Sequence, residues 1–213
     1  MNLLNYLFQY VMLMTSKHNI DESHGLSHSM NSLYFANKIY QKEAQKYPYL
    51  KDHENIIYVS SVLHDMCDKK YMQQDEGLKD ISKFIESLET KNEKIFQKQE
   101  IDVVENIIST MSYSYVKKNG FPNLGKYQVA YNVVREADLL CAYDFDRCMI
   151  YQMNKNNGNV TDAYDDAVNL FDVRMFRHMN DGLLLTDYAR SNYQYLEHQG
   201  RNRINYWKKI LKR

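Results

Sequence analysis

The sequence predicts an all-α protein, and two of its properties carry that prediction. Only 2 prolines and 7 glycines occur in 213 residues, so residues that break helices are scarce. Apolar residues recur at intervals of three and four along most of the chain, which is the period of a helix that buries one face. A chain of this length suits one domain and buries roughly 70% of its unfolded surface, so it needs no disulfide to fold.

The first helices can be placed from their apolar stripes. The first stripe consists of Leu4, Leu7, Phe8, Val11 and Met14. A second helix is predicted over residues 27–47 and should stop before Pro48, whose ring disfavours helical geometry in the preceding residue. A third is predicted over residues 52–65, and the polar residues that dominate 66–75 indicate a loop.

The remaining helices are separated by two clear loops. Amphipathic patterns predict helices over residues 78–88, 101–111 and 127–143. The loops are residues 117–126 and 154–159, and both are short enough to connect packed helices. Residues 160–213 are predicted to form two or three helices, divided near Asp181-Gly182 and near Gly200.

One domain is therefore predicted over residues 1–213. Its core should lie at about residues 20–145, with the C-terminal helices from about residue 160 packed on it.

Charge and cysteine content restrict the function classes. Lys plus Arg and Asp plus Glu both number 27, so the balance indicates neither a nucleic-acid nor a membrane partner. The three cysteines are odd in number and lack CxxC spacing, which fits free thiols in a reducing compartment. The apolar N-terminus has no basic start or small-residue cleavage site and is too short to span a bilayer. We expect a core helix there and a cytoplasmic protein.

Histidines and aspartates on three predicted helices have the chemistry of a metal centre. His28 lies near the start of the second helix, His64-Asp65 lies in the apolar run IIYVSSVLHDMCDKKY, and Asp138 lies in NVVREADLLCAYDFDR. Imidazole nitrogen and carboxylate oxygen together suit divalent ions. Adjacent residues differ by about 100° around a helix, so His64 and Asp65 can meet one ion only beside a helix end. Three or four protein ligands leave open positions for water and substrate.

These three segments resemble the HD-domain superfamily of metal-dependent phosphohydrolases. DESHGLSHSMNSLYFANKI is similar to its opening D-x-S-H-D-x-x-H-x-x-R-V, VLHDMCDKKY to L-H-D-I-x-D-x-K, and VVREADLLCAYDFDR to V-x-D-A-D-x-L-D-A. The resemblance implies a helical bundle with the metal site between central helices. It also implies that one divalent ion (Mn, Ni, Co, Fe, Zn or Mg) is bound by His28, His64, Asp65 and Asp138.

The implied activity is hydrolysis of a phosphate ester or anhydride in a nucleotide or another small phosphorylated metabolite. The candidates for proton transfer or for orienting water are Asp68 and His24. The candidates for binding phosphate are Lys69, Lys70, Arg135 and Arg147. For each of the six, an ordinary solvated or structural side chain is the alternative.

Two other functions stay open. A degenerate HD-type fold would bind a ligand or a protein without turnover, and the sequence departs from the family pattern at Asn31-Ser32, Glu136 and Cys141. A di-metal oxygenase would need histidines between Asp65 and Asp138, and that interval has none. No GxxxxGK[ST], GxGxxG or GxSxG motif occurs. Both a monomer and a homodimer are compatible with the sequence.

Overall fold

The computed structural model describes residues 2–90 and 93–213, and in these residues the fold is all-α, as predicted. Three short 3₁₀ helices and a two-residue antiparallel pair, Glu89–Thr90 with Glu93–Lys94, accompany the α-helices. The ten α-helices of the described residues are α1 (Leu3–His18), α2 (Leu26–Lys46), α3 (Glu54–Leu63), α4 (Gln74–Glu86), α5 (Lys98–Thr110), α6 (Tyr113–Asn119), α7 (Gln128–Cys141), α8 (Phe145–Lys155), α9 (Val160–Val173) and α10 (Asp187–Ile210).

Local side-chain chemistry sets several helix ends. The Asn2 side chain accepts from the Leu4 amide at the start of α1, and Asn19 ends that helix in the left-handed conformation (φ 51°). Helix α2 ends at Lys46, and Pro48 begins a 3₁₀ turn, as its ring geometry predicts. The last three helices each begin with a side-chain cap, provided by Asp144, Asn159 and Thr186.

Helix α7 is the centre of the bundle. Its buried side chains include Ala130, Val133, Val134, Ala137 and Leu140, and it contacts α2, α3, α5 and α10. Helix α2 packs along both α3 and α7. This arrangement brings together the N-terminal turn of α2, the C-terminal end of α3 and the C-terminal turn of α7, which are the three places where the predicted metal ligands lie.

The third helix differs from its prediction. The segment predicted as one helix over residues 52–65 is a 3₁₀ helix at Pro48–His53 followed by α3, which ends at Leu63. His64 and Asp65 therefore lie in the turn just beyond α3. The short helix α6 overlaps the predicted loop 117–126, because only Val116 of its seven residues is buried and the apolar pattern is too brief to detect.

Gly200 does not divide the C-terminal region, contrary to prediction. It lies inside the continuous helix α10, where a Cβ would stand 3.0 Å from Phe171 Cε1 and 3.4 Å from the Tyr143 carbonyl oxygen. The missing side chain lets α10 approach these two residues closely. Glycine here reflects a close packing contact rather than a turn.

The buried apolar residues form two clusters. The larger draws on α1–α5, α7, Val116 of α6 and residues 183–189, and the smaller on α8, α9 and Met175, with Ile204 and Trp207 of α10 packed against it. Phe176 contacts both clusters. One domain over residues 1–213 stays a prediction. Among the described helices, none has the length and hydropathy needed to cross a membrane.

Gly77 in α4 lies against the turn that follows His64-Asp65. A Cβ at this position would lie 2.6 Å from Cys67 Cβ and 2.7 Å from Met72 Sδ, closer than packed atoms approach. We expect Gly77→Ala to lower the free energy of unfolding by about 1–3 kcal/mol. An unhindered glycine-to-alanine change inside a helix would instead raise it by about 1 kcal/mol.

Urea unfolding measures this difference. Lys79→Ala, on the exposed side of the same helix, is the matched control and should change stability by less than about 0.5 kcal/mol. A Gly77→Ala protein as stable as wild type would contradict the close packing of α4 on Cys67.

Candidate metal centre

Four predicted ligand residues converge beside a cleft, which three of them line while His28 lies buried behind it. His28 comes from the first turn of α2, His64 and Asp65 from the turn after α3, and Asp138 from α7. The cleft has a volume of about 680 Å³, and its walls come from the turns after α3 and α5 and from α6, α8 and the end of α9. A volume of this size suits a small-molecule ligand.

The donor atoms lie close together. His28 Nε2 is 3.0 Å from His64 Nε2 and 3.1 Å from Asp65 Oδ2. Asp138 Oδ1 is 3.5 Å from His28 Nε2 and 3.6 Å from His64 Nε2. His28, His64 and Asp65 each offer a donor atom within 4.8 Å of the other two.

The separations of His28 from His64 and Asp65 fit ligands of a single ion, and those of Asp138 lie just beyond the same range. Two atoms bound about 2.1 Å from one ion, at angles of about 90–110°, lie about 3.0–3.4 Å apart. Asp65 Oδ2 is buried and has no hydrogen-bond partner, although His28 Nε2 lies 3.1 Å away. An orphaned carboxylate oxygen beside two imidazole nitrogens is a donor set that a divalent cation would satisfy.

A hydrogen bond to the backbone fixes the orientation of the His64 ring. Its Nδ1 lies 2.9 Å from the Ser61 carbonyl oxygen, which can only accept, so Nδ1 carries the hydrogen. Its Nε2 faces His28 and Asp138, and this nitrogen offers a lone pair to an ion only when the ring is neutral. A backbone carbonyl that selects the tautomer in this way is the usual support for a histidine ligand.

Opposite charges dominate the electrostatics of the cluster. Burial lowers the pKa of His64, but Asp65 and Asp138 outweigh burial and raise it to about 9. Burial raises the pKa of each carboxyl group, yet the neighbouring imidazoles hold the pKa values of Asp65 and Asp138 well below the ordinary range. Both carboxylates are therefore ionised at neutral pH, as metal ligands must be, whereas a metal ion would have to displace the proton that the raised pKa leaves on His64.

His24 lies beside the cluster and contacts Lys70. Lys70 Nζ donates to His24 Nε2 at 2.9 Å, so the hydrogen of the ring is on Nδ1. That nitrogen lies 2.7 Å from Ser23 Oγ and 3.0 Å from the Tyr71 hydroxyl, and both hydroxyls donate to Asp21. The ring thus connects the partly buried carboxylate of Asp21, through the two hydroxyls, to the ammonium group of Lys70.

Asp68 and the two lysines of the motif also line the cleft. Asp68 Oδ1 accepts from the Lys70 amide at 2.9 Å, and Oδ2 lies 3.4 Å from Lys70 Nζ. Lys69 is exposed and has no ion-pair partner in the described part of the chain. Asp68 therefore holds the Lys70 segment in place while one face of its carboxylate remains at the cleft.

The structure separates the two candidate arginines. Arg147 lines the cleft from the first turn of α8, where its Nε donates to the Ser23 carbonyl and one terminal nitrogen lies 3.9 Å from Asp65 Oδ2. Arg135 points into the interior instead, so its assignment as a phosphate contact was wrong. Its guanidinium donates to Glu136 Oε1 and to the Leu183 carbonyl, and the side chain is fully buried.

Further cations and aromatic rings of the cleft were not identified from the sequence. They lie on α6, on α8 and at the end of α9, outside the three motif segments, and are Lys118, Lys155, Arg174, Tyr113 and Tyr151. Lys70 and Lys155 both lie over the Tyr151 ring, at 5.0 and 5.7 Å from its centroid. No motif or spacing marks these residues, since ordinary surface helices carry the same residue types.

Cys67 follows the His64-Asp65 pair closely but does not have the properties of a ligand. It is buried, and its Sγ lies 3.9 Å from the His64 carbonyl oxygen. Burial raises the pKa of its thiol to about 12, with Asp65 and Asp68 adding to the effect. Cys67 is not among the described residues whose donor atoms lie together, so it is outside the donor cluster.

Comparison with known proteins gave no significant match to a family model, to a curated protein or to a solved structure.

Proposed function

We propose that the protein is a metal-dependent phosphohydrolase that cleaves a phosphate ester or anhydride of a nucleotide or another small phosphorylated metabolite. The observation that carries the proposal is the placement of two imidazole nitrogens and two carboxylates, at ligand-like separations, beside a cleft lined by cations. The cationic side chains of the cleft are Lys69, Lys70, Lys118, Arg147, Lys155 and Arg174. When bound, one divalent ion supplies Lewis-acid activation of water and of a phosphoryl oxygen.

The protein's own groups have separate roles in this proposal. Arg147 and Lys70 flank the cluster and bind phosphoryl oxygens, Arg147 with a planar fork and Lys70 as a point charge. His24 positions the Lys70 ammonium through the 2.9 Å contact. Asp68 accepts a hydrogen bond from the attacking water on the face of its carboxylate that lies at the cleft.

The proposal also covers the type of fold, the cellular location and the oligomeric state. It includes an HD-type arrangement in which α2, the end of α3 and α7 provide the ligands, a cytoplasmic location, and a monomer or homodimer. Three cysteines in the free form support a reducing location. The cleft volume of about 680 Å³ and the Tyr113 and Tyr151 rings support a substrate of nucleotide size.

Product formation from a panel of phosphorylated compounds tests the proposal. We expect wild-type protein with manganese to release phosphate or pyrophosphate from at least one nucleoside mono-, di- or triphosphate. Phosphorus NMR, recorded after the manganese is removed by a chelator, identifies the bond that is cut. The variant carrying His64→Ala and Asp65→Ala should show turnover at least a thousandfold lower, because half of the ligand set is gone.

A matched control keeps the interpretation clear. Asp172→Asn changes an exposed carboxylate on α9 and should leave turnover within twofold of wild type. Equal turnover in wild type and in the double variant would contradict the proposal. Metal binding without turnover of any tested nucleotide would favour a non-catalytic ligand-binding module instead.

A further inference from the structure

Arg174 differs from every other arginine of the chain in its contacts. The other seven each have a hydrogen-bond acceptor or a carboxylate partner. Arg174 has neither within residues 2–90 and 93–213, and its Nε is buried without a partner. Its contact is with a ring, since the guanidinium carbon lies 4.3 Å from the Tyr113 centroid.

This arrangement is unfavourable for the protein alone. A guanidinium group stays charged at any physiological pH, so it cannot escape its burial by losing a proton. Partial removal of a cation from water costs free energy unless an anion compensates for it. The Tyr113 face and the more distant Asp138 carboxylate compensate only in part, because a cation–π contact is weaker than a charged hydrogen bond and no described carboxylate lies within ion-pair distance of Arg174.

The position of Arg174 indicates which anion compensates. It ends α9 at the wall of the same cleft that holds Asp138 and Arg147. The planar fork of a guanidinium matches two oxygens of one phosphoryl group, and its packing on Tyr113 restricts it to few orientations. An orientation restricted in advance lowers the entropy lost when an anion binds.

We propose that Arg174 is an anion-binding residue of the cleft, and that its guanidinium donates to two oxygens of a phosphoryl group of the substrate. The inference rests on the proposed function, because it takes the cleft to receive a phosphorylated molecule. It extends that function by adding a contact from α9, a part of the chain outside the motif segments. Arg174 and Arg147 then approach the same anion from two different helices.

Titration calorimetry with inorganic phosphate, in the presence and absence of magnesium, tests this contact without requiring turnover. We expect Arg174→Gln to weaken phosphate binding at least tenfold, since it removes the charged donors that hydrogen-bond to the anion. Arg174→Lys keeps the charge but loses the fork, and should weaken binding by a smaller factor of about 3–10. Arg177→Gln is the matched control, because Arg177 is exposed and pairs with Asp181, and it should bind phosphate within twofold of wild type.

Thermal unfolding of the same variants separates binding from folding. Removing an uncompensated charge should leave the melting temperature of Arg174→Gln unchanged or slightly higher. If that variant does not fold, Arg174→Lys decides the matter by its phosphate affinity at a wild-type melting temperature. Affinity within twofold of wild type in the decisive variant, or no phosphate binding by wild type, would overturn the inference.

The two proposals fail in different ways. Phosphate binding that depends on Arg174, without turnover of any nucleotide, would support the anion contact and contradict the hydrolase. Metal-dependent turnover that is unchanged in Arg174→Gln, together with unchanged phosphate affinity, would support the hydrolase and overturn the role of Arg174.

Discussion

Asp138→Asn should lose the thermal stabilisation that we expect a divalent ion to give to the wild-type protein. An ion present at a hundred times its dissociation constant adds about 2.7 kcal/mol to the free energy of unfolding. For a chain of this size that is a rise of about 5–10 °C in melting temperature. Asparagine keeps the shape of Asp138 but removes the charge next to His28 and His64, so we expect the affinity to fall at least about a hundredfold. At the same ion concentration the variant should gain about 1 °C or less.

Melting curves before and after addition of manganese, zinc or magnesium to chelator-treated protein measure the effect. Asp172→Asn removes the same charge from an exposed site on α9 and should respond to the ion as wild type does. An ion-induced rise in Asp138→Asn equal to that of wild type would show that Asp138 is not a ligand. No rise in wild type with any of the three ions would contradict the four-residue centre as a whole.

Glu136→Ala should be the most destabilising single substitution among those considered. Glu136 is fully buried, and its carboxylate accepts from the amides of Leu185 and Thr186, from the Thr186 hydroxyl and from Arg135. Alanine would leave the Arg135 cation buried without its partner, which typically costs about 3–5 kcal/mol. The melting temperature should fall by about 6–20 °C.

Urea or thermal unfolding measures this loss of stability. Two further variants, each expected to lose less stability, serve as comparisons. Glu136→Gln keeps the shape and an acceptor oxygen, so it should lose less stability than the alanine variant. Glu197→Ala breaks the exposed pair with Arg201 and should change stability by less than about 1 kcal/mol. A Glu136→Ala protein within 1 kcal/mol of wild type would contradict the role of Glu136 in fastening residues 185–186 to α7.

The parts of the fold with a long apolar period could be predicted from the sequence. Helices α1, α2, α4, α5 and α7 each bury one face for three or more turns, and Pro48 marks an end directly. Helix α6 is about two turns long and has a single buried residue, so its apolar residues are too few to show a helical period. At Gly200 the sequence pattern suggests a break, but the neighbour that explains the glycine is Phe171 on another helix.

In the candidate site, too, the sequence predicts what depends on local motifs but not what depends on contacts between distant segments. His28, His64, Asp65 and Asp138 were grouped by their order and their resemblance to a family, not by any contact readable from spacing. Arg135 was misassigned because its acceptors include the Leu183 carbonyl, far along the chain. Arg174 was missed because its significance lies in the absence of a partner in the described residues, which is a property of the fold alone.

The donor cluster joins segments that are distant in sequence, and this has a kinetic consequence. His28, His64-Asp65 and Asp138 meet only after α2, α3 and α7 have docked on one another. Contacts between remote segments form late, because closing the long intervening loops costs entropy before any contact repays it. An ion held by these residues would therefore lower the rate of unfolding and leave the rate of folding almost unchanged.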